Sequence, residues 1–179
     1  MLDYFTAFCM FGFVVLMLFM DEIGLILGKD FRVGLTITPI MLMAYVITGL
    51  LFNVNIWYKL SEKTGYAVWI TLAGLVVTIV INLIFMPRYS YHAAAWGHVA
   101  SYVTMLVLTA ALGRKHYPIP YHWGVVILLV AAGLGVWALS FLLPEMRLGI
   151  KILVHLLFVL LYIAIAFIIF VVHKRKTAA

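Results

Sequence analysis

Residues 64–87, TGYAVWITLAGLVVTIVINLIFMP, contain no charged side chain. A helix over this stretch, rising about 1.5 Å per residue, is longer than the roughly 30 Å hydrocarbon core of a bilayer. The stretch therefore predicts a transmembrane helix. Its last residue, Pro87, is predicted to end that helix, because proline removes a backbone N–H and restricts the residue before it.

The same pattern recurs along the chain. Five other stretches lack charged residues: 4–20, 33–58, 89–113, 116–144 and 152–173. The sequence therefore predicts an all-α fold, a polytopic membrane helix bundle with about six transmembrane helices. We place the predicted spans at residues 3–20, 36–57, 66–86, 92–112, 122–143 and 150–172. The apolar run within segment 21–32 is too short to cross the bilayer, so this segment is predicted to lie along the membrane surface.

Composition excludes a water-soluble globular fold. The 179 residues are 67% hydrophobic and 10% charged, whereas a soluble domain is about 45–50% apolar and about 25% charged. The unbroken apolar runs also differ from the alternating pattern of β-barrel strands. The net charge of +6 is interpreted as loop orientation, so no nucleic-acid partner is predicted.

Orientation follows from the basic residues between the spans. With a cytoplasmic N-terminus, seven basic residues face the cytoplasm: Lys59, Lys63, Arg114, Lys115, Lys174, Arg175 and Lys176. Five face the other side: Lys29, Arg32, Arg88, Arg147 and Lys151. The positive-inside rule therefore predicts that both termini are cytoplasmic.

The sequence offers little support for catalysis, metal binding or ATP use. Residues 24–30, GLILGKD, superficially resemble a phosphate-binding loop, but the glycine spacing is short and Asp30 replaces the required hydroxyl. The histidines show no metal-ligand spacing, and His98 and His155 are interpreted as neutral hydrogen-bond partners. Apart from Asp3 at the first position of span 3–20, no acidic residue lies inside a predicted span. The chain is therefore predicted to be no enzyme, with no catalytic residue, no metal and no cofactor.

Three amides lie inside predicted spans: Asn53, Asn55 and Asn82. Asn53 and Asn55 are separated by about 200° around a helix, so at least one should face a neighbouring helix or a wet cavity. They act either as interhelical hydrogen-bonding groups or as part of a hydrophilic path. Close helix packing is predicted at three small-residue motifs: Ala73-Gly74, Ala93-xxx-Gly97 and Ala131-xxx-Gly135.

Residues 20–121 carry several motifs that belong together. These are GKDF at 28–31, NIWYKLSEKT at 55–64, INLIFMPRY at 81–89, AAAW at 93–96 and HYPIPY at 116–121. Together they resemble the C-terminal portion of polysaccharide-biosynthesis flippases, the O-antigen and capsule exporters of the multidrug/oligosaccharidyl-lipid/polysaccharide superfamily. The chain departs from the family where Ser90 and Ala93 replace glycines of the turn.

The resemblance implies a domain organisation and a function. Residues 1–121 would form C-terminal-lobe flippase-like helices, and 122–179 an additional transmembrane hairpin with a basic cytoplasmic tail. The function implied is translocation of lipid-linked oligosaccharide, of the polyprenyl diphosphate type, across the bacterial inner membrane. The partners are this substrate, membrane lipid and a chain supplying the missing N-terminal lobe, because family members have 12 to 14 spans and this chain is expected to be truncated.

The resemblance also assigns a substrate path. In this picture Asn53, Asn55 and Asn82 line or brace the cavity, and Lys59 and Lys63 attract the diphosphate at its cytoplasmic mouth. The alternative for both lysines is positive-inside anchoring. Two other functions stay open: a multidrug-type exporter fragment, which would need an intramembrane acid, and a non-transporting membrane assembly subunit. A third open function is that of a membrane-bound transferase.

Overall fold

A computed structural model of the chain describes residues 1–26, 34–117, 119–142 and 148–178. Every regular element among these residues is helical. The helices are α1 Leu2–Leu18, α2 Met20–Ile26, α3 Thr38–Val54, α4 Ile56–Leu60, α5 Gly65–Tyr89, α6 Tyr91–His116, α7 Trp123–Ser140 and α8 Leu148–Ala178. The predicted GKDF turn at 28–31 and Pro118 of the HYPIPY motif lie outside the described residues.

The predicted membrane-spanning architecture is confirmed at the level of helix length and composition. Five helices of the described chain are long and apolar enough to cross a bilayer: Thr38–Leu60, Gly65–Tyr89, Tyr91–His116, Trp123–Ser140 and Gly149–Lys174. The first predicted span corresponds to the shorter apolar helix Leu2–Leu18. The fold is therefore an all-α bundle of a multi-pass membrane protein.

The chain forms two compact units. Unit 1 contains the described residues within Asp3–Val33 and His122–Ala179, and unit 2 contains Gly34–Tyr121. Helices α1, α2, α7 and α8 thus belong to unit 1, and α3 to α6 belong to unit 2. The predicted assignment of residues 1–121 to a flippase lobe stays a prediction.

In unit 2, α6 lies between α3 and α5 and packs against both. It can approach them closely because its buried positions are mostly small residues. Ser101 of α6 donates a 2.9 Å hydrogen bond to the Gly74 carbonyl oxygen of α5. A Cβ at Gly74 would lie 2.7 Å from Met105 Sδ, and one at Gly97 would lie 3.3 Å from Asn82 Oδ1. The predicted close packing is therefore present at Gly74 and Gly97.

The turn between α5 and α6 differs from the prediction. Pro87 does not end the helix, because α5 continues through it to Tyr89. The chain reverses at Ser90, which has a positive φ of 47°. Proline near the end of a helix sacrifices one backbone hydrogen bond, and a left-handed residue is what stops helical propagation.

In unit 1, α1 packs against both α7 and α8. The Tyr162 hydroxyl of α8 donates a 3.3 Å hydrogen bond to the Ala7 carbonyl oxygen of α1, and the Tyr162 residue is only 1% exposed. The ring of Phe13 on α1 meets Trp137 of α7 edge to face, with centroids 6.0 Å apart. Aromatic side chains thus fix α1 against the α7–α8 hairpin.

The close-packing motif on α7 was placed at the wrong glycine. No atom of another element lies within 4 Å of a Cβ built at Gly135, whereas one built at Gly133 contacts Met10 and Val14 of α1. These two glycines lie about 200° apart around a helix, so only one can face α1.

The two glycines provide a matched pair of substitutions. Gly133→Val is expected to destabilise the protein by about 1–3 kcal/mol, because the new side chain would overpack the fully buried Met10. Gly135→Val should change stability by less than about 0.5 kcal/mol. Thermal unfolding of both variants in detergent measures this. A larger loss for Gly135→Val would contradict the packing of α1 on α7.

Candidate functional sites

A polar network crosses the interior of unit 2. The indole Nε1–H of Trp57 donates to Thr109 Oγ1 at 2.9 Å, and the Thr109 hydroxyl donates to Asn55 Oδ1 at 2.7 Å. Trp57 and Thr109 are both 0% exposed. The hydroxyl accepts one hydrogen bond and donates another, so it is satisfied in an apolar surrounding. The network therefore attaches α4 to α6.

An aromatic stack extends this network to the end of α6. The rings of Trp57 and His116 are stacked with centroids 5.8 Å apart. His116 Nδ1 lies 3.1 Å from the Leu112 carbonyl oxygen, and its Nε2 lies 3.0 Å from the Tyr66 hydroxyl. A carbonyl oxygen only accepts, so Nδ1 must carry the proton and Nε2 accepts from Tyr66. These contacts bring the starts of α4 and α5 to the C-terminal end of α6.

Four basic side chains are exposed at this end of unit 2: Lys59, Lys63, Arg114 and Lys115. We call these four residues the basic end. Glu62 is the acidic residue between the two lysines, and its positive φ of 56° tightens the turn from α4 to α5. The rings of Trp57, Tyr66 and His116 contact one another beside the basic end, so packed aromatic side chains position its charges.

The predicted substrate-path residues do not form one cluster. Asn55, Lys59 and Lys63 lie at or near the basic end, with Asn55 bound to Thr109 as an interhelical partner. Asn53 instead donates from Nδ2 to the Gly49 carbonyl oxygen of its own helix at 3.1 Å. Asn82 lies about 25 Å along α5 from its start. Its Oδ1 atom is buried without a hydrogen-bond partner among the described residues.

An acid–imidazole pair in unit 1 was not predicted from the sequence. Glu22 of α2 and His155 of α8 approach to 3.6 Å between Oε1 and Nδ1, and their side chains are 14% and 5% exposed. Both Glu22 oxygens and His155 Nδ1 lack hydrogen-bond partners among the described residues. Phe19 covers the imidazole edge to face at 5.5 Å. A carboxylate and an imidazole at a helix contact are groups that can bind a proton or a cation.

Two further charges flank this pair. Lys151 Nζ lies 2.6 Å from Asp21 Oδ2 and 3.9 Å from Glu22 Oε1. Lys151 and His155 are four residues apart, so they share one face of α8. That spacing, together with the adjacent acids Asp21 and Glu22, was the available sequence signal. This signal identifies one polar face of α8 but does not show which helix packs against that face.

The fold defines a multi-pass α-helical membrane protein with polar groups at buried helix contacts. No family model, curated protein or solved structure matches the chain. The flippase resemblance therefore stays a prediction that rests on the motifs of residues 20–121.

Proposed function

We propose that the chain is part of a flippase that moves polyprenyl-diphosphate-linked oligosaccharides between the leaflets of the bacterial inner membrane. The observation that carries this proposal is the basic end, where Lys59, Lys63, Arg114 and Lys115 are all exposed at one end of unit 2. Each basic side chain near a membrane surface attracts an anionic headgroup by about 1 kcal/mol. The motif resemblance supplies the substrate class.

The basic end would act on the diphosphate, the part of the substrate that most resists leaving water. Ammonium and guanidinium groups form charge-assisted hydrogen bonds with phosphate oxygens, and arginine binds two oxygens at once. The prenyl tail stays among the membrane lipids, while the glycan needs a polar path because it cannot cross hydrocarbon unaided. A chain supplying an N-terminal lobe would complete that path by alternating access.

Translocation in vesicles tests the proposal. The gene product that carries this chain is reconstituted with a fluorescent polyprenyl-diphosphate oligosaccharide, and an impermeant quencher reports the leaflet of the label. We expect protein-dependent exchange of the label between leaflets. A folded protein that leaves the label on its starting leaflet would exclude the flippase and favour an assembly subunit.

Glu22 is the observation that favours a second candidate, a cation-coupled exporter of the same superfamily. Such a transporter needs a buried acid to bind the coupling ion, and Glu22 lies beside His155 with little exposure. The two candidates differ in substrate, so the same vesicles loaded with a fluorescent cationic drug distinguish them.

Glu22→Gln tests the role of this carboxylate. The glutamine amide keeps the shape of the side chain but cannot bind or release a proton near neutral pH. We therefore expect drug accumulation driven by a proton gradient to fall to the level measured without a gradient. Asp21→Asn is the matched control, because the Asp21 side chain is 77% exposed and exposed pairs contribute little. Equal transport by Glu22→Gln and the unaltered protein would exclude coupling through Glu22.

A further inference from the structure

We propose that Asp3, His122 and His173 form a binding site for a divalent transition-metal ion of the zinc class. His122 Nδ1 lies 3.3 Å from Asp3 Oδ2, and the His122 and His173 rings are 4.3 Å apart between centroids. Each residue offers one ligand atom, and the three atoms lie within 4.8 Å of one another. The site is separate from the proposed substrate path, which lies in unit 2.

The fold of unit 1 brings these residues together. Helices α1 and α7 begin where α8 approaches its end, so Asp3, His122 and His173 share one end of the unit. Next to them, the rings of Tyr4 and Phe170 stack with centroids 4.7 Å apart. This contact fixes the start of α1 against the last turns of α8. The ligands are therefore positioned by helix packing rather than by a flexible loop.

The spacing of the ligand atoms suits a tetrahedral ion. Zinc binds nitrogen and carboxylate oxygen at about 2.0–2.2 Å, which places tetrahedral ligands roughly 3.4 Å apart. The Asp3–His122 pair already has this spacing, and His173 needs to move by about 1.5 Å at most to reach it. Two imidazoles and one carboxylate favour zinc, copper, nickel or cobalt over magnesium or calcium, which prefer oxygen.

One oxygen of the Asp3 carboxylate lacks a hydrogen-bond partner among the described residues. Asp3 Oδ1 is buried and makes no hydrogen bond within the described residues. A buried carboxylate oxygen without a partner is costly, and a cation bound at the other oxygen, Oδ2, lies close enough to offset part of that cost. The carboxylate also neutralises part of the ion's charge.

The site is open on one side. The His122 side chain is 47% exposed, and an open groove of about 440 Å³ adjoins it. The groove is lined by His122, Val125, Leu128, Ile168, Val172 and His173. The open side leaves room for water at a fourth position of the ion, as in zinc sites with three protein ligands.

A bound ion would hold the ends of α1, α7 and α8 together. Because the ligands come from three helices, the metal would bind folded unit 1 far better than an unfolded chain and would stabilise it. The inference does not depend on the proposed transport function.

Cobalt binding to the purified, untagged protein in detergent tests the proposal. After treatment with EDTA, we expect one Co²⁺ per chain with the visible absorption of a tetrahedral complex, displaced by Zn²⁺. Asp3→Asn, His122→Ala and His173→Ala should each weaken binding by at least about tenfold. His98→Ala is the matched control, because His98 is an exposed histidine of unit 2, and it should bind as the unaltered protein does.

Asp3→Cys separates coordination from a purely structural contact. A thiolate is a zinc and cobalt ligand, so this variant should retain metal and add a thiolate-to-cobalt band in the near ultraviolet. The proposal is wrong if the unaltered protein binds no cobalt, or if His98→Ala weakens binding as much as His122→Ala. It is equally wrong if folded Asp3→Asn retains full affinity.

Discussion

Replacing Trp57 with alanine is expected to destabilise the protein by about 3–5 kcal/mol. The side chain is fully buried, donates to Thr109 and stacks on His116. Its removal leaves a large cavity between α4 and α6, and the stack that holds the basic end loses its central ring. Thermal unfolding in detergent should show a marked fall in the midpoint.

Two other substitutions separate the ring from its hydrogen bond. Trp57→Phe keeps most of the ring and removes the Nε1–H donor, so it should lower the free energy of unfolding by about 1–3 kcal/mol. Trp69→Ala is the matched control, because Trp69 is 72% exposed and should change stability little. If Trp57→Ala and Trp69→Ala lowered the midpoint equally, Trp57 would not anchor the interior of unit 2.

Neutralising both lysines of the turn should weaken the transport of a diphosphate-linked substrate. At about 1 kcal/mol for each basic residue at a membrane surface, Lys59→Gln with Lys63→Gln should raise the apparent KM by about 30-fold. Both side chains are exposed, so the fold should be unaffected. The measurement is the initial rate of leaflet exchange against substrate concentration in vesicles.

Two control variants test whether the effect depends on the positive charge and on its position in the chain. Lys59→Arg with Lys63→Arg keeps both charges and should retain the original KM. Arg88→Gln removes an exposed charge at the far end of α5 and should leave KM unchanged. A KM that does not respond to Lys59→Gln with Lys63→Gln would mean that these lysines only anchor the helices at the membrane surface.

The helices were predictable because a bilayer imposes a simple rule. Each span must exclude charged residues over about 20 positions, and that rule can be applied along one sequence. In the described part of the chain, five of the six predicted spans correspond to helices long and apolar enough to cross a bilayer. The local stop signal at Pro87 was wrong, because proline in the last turn of a helix costs little when the chain reverses soon afterwards.

The contacts of individual polar residues were harder to predict. The rotation between Asn53 and Asn55 correctly implied that one would face another helix, but packing decided that it was Asn55. Likewise, Gly133 rather than Gly135 faces α1. These outcomes depend on which face of a helix meets its neighbour, and on apolar helices the hydrophobic pattern carries little such information.

The polar clusters of unit 1 could not be found by local spacing. Asp21 and Lys151 are 130 residues apart in the chain, and Asp3 and His122 are 119 apart. Both pairs meet only because α1 with α2 packs against the α7–α8 hairpin. Histidine spacing within single helices therefore predicted neither the Glu22–His155 pair nor the proposed metal site at Asp3, His122 and His173.

The proposed function requires that α5 crosses the membrane with the basic end at the cytoplasmic face. Thr64 and Ser90 are exposed and flank this 25-residue helix. Each is replaced by cysteine in a Cys9→Ala background, and an impermeant maleimide is applied to spheroplasts before and after lysis. We predict that Ser90→Cys is labelled in intact spheroplasts and Thr64→Cys only after lysis. Labelling of both from the same side, or in the reverse order, would contradict the account.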